Sequence, residues 1–140
     1  MDIYLDIDGV LRGCSSPLED RMALLRYIMD TPGLEGYWLT THCKHGENHA
    51  CDALREEYPA EFLEELNQKI HPTEWGSLKT DALNFEHKFL WLDDTFFVTE
   101  RMILKGHGVT NSILVMEPTN PNAAQNALNI IKQRSANLNA

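Results

Sequence analysis

The sequence predicts an α/β fold of the Rossmann-like kind, a three-layer sandwich in which helices cover both faces of a central, mostly parallel sheet. Two observations lead to this prediction. Short apolar segments rich in β-forming residues alternate with longer segments whose apolar residues recur at helical spacing. The connections between successive apolar segments are also long enough for the crossovers that parallel strands require.

The composition is that of an ordinary globular chain with an acidic balance. The 140 residues are 43% hydrophobic and 24% charged, and this length suits one domain with a sizeable core. We expect a single domain over residues 1–140, because no repeat or linker-like stretch divides the chain. The formal net charge of −9 argues against binding nucleic acid through overall charge, although it leaves room for a local basic rim.

Cysteine usage indicates a reducing compartment. Cys14, Cys43 and Cys51 are odd in number and sparse, unlike the dense, even sets of disulfide-bonded secreted domains. We therefore expect a cytoplasmic protein. No apolar run approaches the roughly 20 residues of a transmembrane helix, so we expect no membrane association.

The first two predicted strands flank a predicted helix. Residues 3–5 are an apolar run of β-formers, which favours a buried strand. Residues 17–30 begin at a proline and carry apolar residues at helical spacing. Residues 37–39 predict the second strand, which ends at Thr40 and Thr41. Strand, helix and strand make the first βαβ unit of a parallel sheet.

The middle of the chain is predicted to be a polar loop, two helices and a second loop. The loop covers residues 42–51, and the helices cover 50–58 and 60–69 with a proline between them. Residues 71–76 are polar and rich in turn formers, which predicts a loop. For residues 77–83 the pattern leaves two options open, a loop or a short helical turn.

Two further strands and two helices complete the prediction. Residues 89–92 form the third apolar run, and residues 95–105 are expected to be helical. Residues 112–116 predict a fourth strand. Residues 122–134 predict a C-terminal helix, with a frayed end from about Ser135.

Each predicted strand is followed by polar side chains. Parallel strands bring such residues to one edge of the sheet, where ligands bind in open α/β folds. Carboxylates held close together repel each other unless a cation lies between them, and Mg²⁺ prefers oxygen ligands. The sequence therefore predicts an Mg²⁺ site formed by Asp6, Asp8 and Asp93. The polar residues after the four strands are Asp6 and Asp8, Thr40 and Thr41, Asp93 and Asp94, and Glu117.

The residues Asp6-x-Asp8-Gly9-Val10-Leu11 resemble motif I of the haloacid dehalogenase (HAD) superfamily, whose members are mostly Mg²⁺-dependent phosphatases. The resemblance implies that Asp6 attacks phosphorus and forms an aspartyl-phosphate. It also implies that Asp8 protonates the leaving group, then activates water, and contacts the metal through its backbone carbonyl. Gly9 supports the sharp turn that follows the strand.

Two other segments resemble motifs II and III of the same superfamily. Residues 37–40 are similar to motif II, whose Thr or Ser hydrogen-bonds the phosphoryl group; Thr40 and Thr41 compete for this role. Lys79 fits motif III, a lysine that neutralises the charge of phosphate and nucleophile. Its rival, Lys88, precedes the third strand and is expected at the opposite edge of the sheet.

Residues 90–94 resemble motif IV in its Asp-Asp form. The resemblance implies that Asp93 helps to hold Mg²⁺. The role of Asp94 is left open among three: to orient Lys79, to orient Asp93, or to cap the following helix. The four motifs occur in the order that the superfamily shows, and they span most of the chain.

The resemblance implies a HAD-like domain without a large cap, acting as an Mg²⁺-dependent phosphohydrolase on a phosphate monoester. In the superfamily an open site often accepts a large substrate, such as a phosphoprotein or a nucleic-acid end, but a small ester such as a nucleotide fits equally well. Arg12 and His42 are candidates for contact with the substrate. The oligomeric state is left open.

A cluster of histidines and cysteines supports an alternative, a non-catalytic binding module or scaffold stapled by zinc. Its spacing matches no standard zinc pattern, and scattered polar residues on a solvated loop are the other interpretation. The cluster consists of His42, Cys43, His45, His49 and Cys51.

Overall fold

The computed structural model describes residues 1–136 and has the predicted α/β architecture, a parallel sheet of five strands flanked by helices. The Rossmann-like, three-layer fold class is thus confirmed. The strands are β1 (Asp2–Leu5), β2 (Glu35–Trp38), β3 (Ile70–Pro72), β4 (Phe89–Asp93) and β5 (Ile113–Val115). The helices are α1 (Leu18–Asp30), α2 (Ala50–Leu54), α3 (Ala60–Lys69), α4 (Val98–Gly106) and α5 (Ala123–Ala136). Short 3₁₀ helices cover Lys79–Ala82 and Thr110–Ser112, and Thr41–Gly46 is a 3₁₀ segment that is kinked at residues 43–45.

The strand order is β3-β2-β1-β4-β5, and every neighbouring pair is parallel. Leu5 of β1 is level with Trp38 of β2 on one side and with Leu92 of β4 on the other. The chain builds outward from β1 to β3 and then resumes beside β1 with β4. The carboxyl end of β1 is therefore a topological switch point, the place where open α/β sheets bind ligands.

The side chains of the central strands alternate between two apolar clusters, one on each face of the sheet. Ile3 and Leu5 belong to the larger cluster, which also contains the buried residues of α1, α3 and α5. Tyr4 and Trp91 belong to the smaller cluster, together with Leu104 of α4. Because both faces are covered, the central strands are apolar throughout rather than alternating.

The loop between β1 and α1 is anchored by a buried arginine. Arg21 of α1 donates to the carbonyl oxygen of Ser16 at 3.0 Å and to that of Leu11 at 2.7 Å. The Tyr58 hydroxyl donates to the same Leu11 carbonyl. These bonds satisfy backbone groups that would otherwise be buried without partners, and they hold the segment that follows Asp6 and Asp8.

The strand β3 is not among the predicted elements. Ile70 was expected to follow a helix, and residues 71–76 were expected to form a loop; instead Ile70–Pro72 pairs with β2, with Ile70 level with Gly36. Only Ile70 is buried in this strand, so no alternating pattern marks it. Its proline is tolerated because β3 is at the edge of the sheet, where an N–H group need not be donated.

Three helix boundaries also differ from the prediction. Helix α2 ends at Leu54 rather than near residue 58, and α4 begins at Val98 rather than at residue 95. The expected fraying from Ser135 is wrong for the described part of the chain, because α5 continues to Ala136. Ser135 is buried, with its Oγ 3.0 Å from the Tyr27 hydroxyl. Residues 137–140, which the fraying prediction also covered, lie outside the described residues.

Two features of the described residues bear on the protein's surroundings. Between residues 1 and 136, no helix combines the length and the apolar character that crossing a bilayer demands. Cys14, Cys43 and Cys51 are free thiols. Burial raises the pKa of the Cys43 thiol to about 11, so this thiol is chiefly protonated at neutral pH and packs as a small apolar group.

Candidate active site

Two aspartates that are distant in sequence meet at the carboxyl ends of the two central strands. Asp6 directly follows β1, and its backbone N–H donates to the carbonyl oxygen of Leu92 at 3.0 Å. Asp93 ends β4 beside it. Asp6 is 8% exposed and Asp93 is 1% exposed, which is a rare position for carboxylates unless a partner neutralises them.

A third carboxylate completes the group. Asp6, Asp93 and Asp94 each place an oxygen so that all three oxygens lie within 4.8 Å of one another. We call this group the carboxylate cluster. Within residues 1–136 it is the only group of three acidic, histidine or cysteine side chains with this convergence. It lies at the switch point where the sequence predicted a metal site.

Lys79 supplies a positive charge to the carboxylate cluster. Its Nζ donates to Asp93 Oδ2 at 2.7 Å and lies 3.4 Å from Asp6 Oδ1. Burial alone would lower the pKa of Lys79, but the charges of Asp6 and Asp93 outweigh burial and raise it. Lys79 is therefore charged. It lies in the 3₁₀ helix that precedes β4, and it is Lys79, not Lys88, that contacts the cluster.

Asp93 is held by further donors. In addition to the hydrogen bond from Lys79, Asp93 Oδ2 accepts a hydrogen bond from Trp91 Nε1 at 3.2 Å. Asp93 Oδ1 accepts one from the Thr95 backbone N–H at 3.2 Å. Burial raises the pKa of Asp93, and the neighbouring charge of Asp6 raises it further, against the opposing effect of Lys79. One ammonium group thus leaves the three carboxylates short of positive charge.

Asp94 and Gly9 are in close contact. Burial, together with hydrogen bonding to Asp93 and its charge, raises the pKa of Asp94. Gly9 has φ of +81°, and a Cβ at this position would lie 2.5 Å from Asp94 Oδ2. Glycine is thus required here both for the left-handed backbone and for the approach of the Asp94 carboxylate.

We expect Gly9→Ala to destabilise the fold and to disturb the carboxylate cluster. A left-handed φ costs a residue with a side chain about 1–2 kcal/mol, and the overlap with Asp94 adds about 1–3 kcal/mol. Gly33→Ala is the matched control, because Gly33 has φ of +89° and no atom within 4 Å of the added Cβ. Chemical denaturation of both variants measures the difference. Equal losses would show that the Asp94 contact is unimportant.

The two candidate threonines are placed differently. Thr40 follows β2 and is fully buried, and its Oγ1 accepts from the His42 backbone N–H at 3.3 Å. Thr41 is exposed at the start of the next 3₁₀ helix. The Leu39 backbone N–H donates to the carbonyl oxygen of Leu5 at 2.7 Å, which brings Thr40 beside the segment that contains Asp6. This arrangement favours Thr40 for the motif II role.

Asp8 has different neighbours from those of Asp6. Its Oδ1 accepts from Arg12 Nε at 2.6 Å, and its Oδ2 lies 2.9 Å from His42 Nε2. Slight burial would raise the pKa of Asp8, but the hydrogen bonds from Arg12 and His42 outweigh it and lower the pKa. The Asp8 side chain is 56% exposed and does not belong to the carboxylate cluster. Of the predicted ligand set, the Asp6 and Asp93 carboxylates meet, and Asp94, which was predicted only as a supporting residue, joins them. The predicted metal contact of Asp8 is through its backbone carbonyl and stays a prediction.

Trp75 belongs to the site although sequence reasoning did not single it out. This buried residue donates from Nε1 to the carbonyl oxygen of Thr40 at 3.3 Å. Lys79 Nζ lies 5.9 Å from the centroid of its ring, and Lys44 Nζ lies 4.8 Å from it. The available signal was a lone tryptophan in an otherwise polar loop.

The residues of the alternative zinc site do not converge in the described chain. His42 faces Asp8, whereas His49 Nε2 lies 3.1 Å from Glu47 Oε2. The remaining members also have separate surroundings: Cys43 is buried, Cys51 is partly exposed beside the Leu63 carbonyl, and His45 is exposed.

A cavity of about 450 Å³ lies at the end of the sheet that is opposite the carboxylate cluster. Its lining includes Met1, His87, Lys88 and Arg134, and its volume would suit a small ligand. It shares no lining residue with the carboxylate cluster, and it lies at the amino ends of β1 and β4. Ligands in open parallel sheets bind at the other ends of the strands, so the cluster is the better candidate for chemistry.

Fold and site together define a class, an α/β protein with a lysine-neutralised carboxylate cluster at the switch point of a parallel sheet. Comparison of the chain with family models, with curated proteins and with solved structures finds no match in any of the three.

Proposed function

We propose that this protein is a phosphohydrolase that cleaves phosphate monoesters, requires Mg²⁺ and forms an aspartyl-phosphate on Asp6. The observation that carries the proposal is the meeting of Asp6, Asp93 and Lys79 at the switch point, with Thr40 just after the neighbouring strand β2. The resemblance of the four segments to HAD motifs agrees with these positions.

The donor set of the carboxylate cluster fits Mg²⁺. Three carboxylate oxygens converge within 4.8 Å, and a hard divalent cation prefers such oxygens to nitrogen or sulfur. One lysine leaves these carboxylates with excess negative charge, which a divalent cation would balance. Asp6, Asp93 and Asp94 would hold the ion, and when bound it would stabilise negative charge on phosphoryl oxygens.

Asp6 is the proposed nucleophile of the first step. One of its oxygens attacks phosphorus, the bond from phosphorus to the ester oxygen breaks, and that oxygen takes a proton from Asp8. Lys79 and the Thr40 hydroxyl bind the phosphoryl oxygens and stabilise their developing charge. The buried position of Asp6 limits competing contact with water.

Asp8 is the proposed general base of the second step. It removes a proton from the water that attacks the aspartyl-phosphate, which releases inorganic phosphate and restores the Asp6 carboxylate. The lowered pKa of Asp8 keeps it in the carboxylate form that accepts a proton, although it also makes that carboxylate a weaker base. The first step requires its protonated form, which Arg12 and His42 oppose, so these contacts must loosen when the substrate binds.

We infer that no large cap covers the site. Residues 6–17 connect β1 to α1 without a further domain, and α2, α3 and a 3₁₀ helix lie between β2 and β3. Such a site would accept a phosphorylated small molecule, a nucleic-acid end or a phosphoprotein. The free thiols favour a cytoplasmic, reducing setting.

Turnover of a generic aryl phosphate is the first test. We expect phosphate release from the purified protein with Mg²⁺, and loss of at least about 90% of that rate after chelation, because the carboxylates repel an anionic substrate without the cation. Adding Mg²⁺ back should restore the rate. Ca²⁺, which prefers more ligands and longer bonds, is the matched ion control and should restore less.

A rate that is unchanged by chelation would overturn the metal requirement. If no phosphate is released from the aryl ester, a panel of phosphorylated nucleotides, oligonucleotides and peptides extends the test. Absence of Mg²⁺-dependent release across the panel would overturn the proposed function.

A further inference from the structure

The permanently charged basic side chains near the site differ in whether a carboxylate neutralises them. Arg12 is paired with Asp8, and Lys79 is paired with Asp93 and Asp6. Lys44 makes no ion pair with any carboxylate in the part of the chain that the structure describes. The chain has a formal net charge of −9, so carboxylates are abundant, yet Lys44 lies near the acidic site without a carboxylate partner of its own.

Lys44 is connected to the site through Trp75. Its Nζ lies 4.8 Å from the centre of the indole ring, and Lys79 Nζ lies 5.9 Å from the centre of the same ring. The two ammonium groups are therefore no further apart than the sum of these distances. Because Trp75 is buried and bonded to Thr40, the ring is a fixed support rather than a mobile contact.

We propose that Lys44 binds a second phosphate group of the substrate, next to the phosphate that is hydrolysed. This inference rests on the proposed function, and it adds the substrate class: an ester that carries another phosphate or a phosphodiester close to the scissile one.

Electrostatics explains why such a contact would matter. A substrate with two phosphate groups carries more negative charge toward a site with three carboxylates, so its binding depends on cations around the site. Lysine binds phosphate as a point charge. Lys79 is already engaged by Asp93 and Asp6, and Arg12 by Asp8, which leaves Lys44 as the cation that an additional phosphate can reach without displacing a carboxylate.

The test compares substrates that differ by one phosphate. The probes are a nucleoside monophosphate, the matching nucleoside bisphosphate, and a dinucleotide with the same terminal phosphate, each assayed by phosphate release with Mg²⁺. For Lys44→Gln we expect the ratio of kcat/KM for a probe with two phosphate groups to kcat/KM for the monophosphate to fall about tenfold, through KM. Lys44→Arg keeps the charge and should retain most of the wild-type ratio.

Lys88→Gln is the matched control. It removes the same charge from an exposed lysine at the opposite edge of the sheet, so a general effect of net charge would appear in both variants. A fall of the ratio in Lys44→Gln alone supports the inference. A fall for the bisphosphate identifies a small substrate, whereas a fall for the dinucleotide alone identifies a phosphodiester chain.

Failure of this inference can be distinguished from failure of the proposed function. Suppose that the wild type turns over its substrates and that the ratio of kcat/KM values is the same in Lys44→Gln and Lys88→Gln. That result would overturn the role of Lys44 and leave the proposed hydrolase activity intact. Absence of wild-type turnover for every ester would overturn the hydrolase. Calorimetric titration with the same three probes then measures the ratio of the affinity for a probe with two phosphate groups to the affinity for the monophosphate. If this ratio is equal in wild type and Lys44→Gln, the second phosphate site is overturned as well.

Discussion

Replacing Asp6 with Asn is expected to reduce Mg²⁺-dependent phosphate release by roughly three orders of magnitude or more, since the carboxamide is not a nucleophile. The change keeps the size of a side chain that is only 11% exposed, and it removes one of the negative charges that face Lys79. We therefore expect the loss to be in kcat with the fold retained. Steady-state kinetics and circular dichroism of the same preparation measure both.

Asp2→Asn is the matched control for this variant. Asp2 lies at the other end of the same strand, is equally buried, and pairs with His87 rather than with the carboxylate cluster. Its replacement should leave kcat within about twofold of the wild-type value. Equal turnover by wild type and Asp6→Asn, with a contaminating phosphatase excluded, would rule out the aspartyl-phosphate mechanism.

Replacing Lys79 with Met is expected to have the largest effect on stability, in addition to a loss of activity. The substitution keeps the apolar stem but leaves Asp6 and Asp93 without the ammonium group, and these side chains are 11% and 2% exposed. Removing one partner of a buried ion pair costs about 3–5 kcal/mol because the other charge remains uncompensated. Urea denaturation near neutral pH, with a chelator present, measures the free energy of unfolding.

Lys69→Met provides the comparison for an exposed pair. Lys69 Nζ lies 3.4 Å from Asp30 Oδ1, with side chains that are 45% and 49% exposed, and solvent-screened pairs of this kind contribute at most about 1 kcal/mol. Similar losses in the two lysine variants would contradict the view that Lys79 neutralises buried charge.

The stability lost in Lys79→Met should depend on pH in a defined direction. Burial and the charge of Asp6 already raise the pKa of Asp93 above its ordinary value of 3.8, and removing Lys79 raises it further. A carboxyl whose pKa is higher in the folded than in the unfolded state binds more protons when folded, so stability increases as the pH falls toward the unfolded value. The loss should therefore shrink as the pH falls from neutral toward the ordinary carboxyl value of 3.8.

The charge balance of the cluster links these two predictions. Asp6→Asn removes a negative charge and spares the fold, whereas Lys79→Met removes the positive charge and weakens it. If Mg²⁺ binds the cluster, adding it should return part of the stability that Lys79→Met loses, since a ligand that binds only the folded state stabilises that state.

The alternation of apolar segments was enough to predict the sheet and the positions of most helices. Four of the strands were found because each contains a run of apolar, β-forming residues that is bounded by polar or turn-forming residues. The edge strand β3 was missed because its one apolar β-former, Ile70, is followed by His71 and Pro72. A strand of this kind is recognised by its pairing with β2 and not by its own pattern.

The partners of the site residues could not be predicted to the same degree. Strand order decides that Asp93 is beside Asp6, and the motif order anticipated this. The spacing of Asp6 and Asp8 suggested a site around one ion, and the resemblance gave the Asp8 contact to its backbone carbonyl. The contacts of the Asp8 side chain with Arg12 and His42, and the approach of Asp94 to Gly9, were not predicted. Trp75 went unnoticed since its role depends on a contact with Thr40, across the loop after β2.

The sequence alone was sufficient to predict the α/β class and the polar residues that follow the four predicted strands, because local periodicity and strand-end position are properties of neighbouring residues. It also determined that Asp6, Asp93 and Lys79 are the residues to examine. The folded arrangement was needed to show which side chains share the cluster, which threonine is buried, and which lysine near the site has no acidic partner among residues 1–136. These outcomes depend on packing and electrostatic contacts between segments far apart in the chain, and a linear pattern does not specify such contacts.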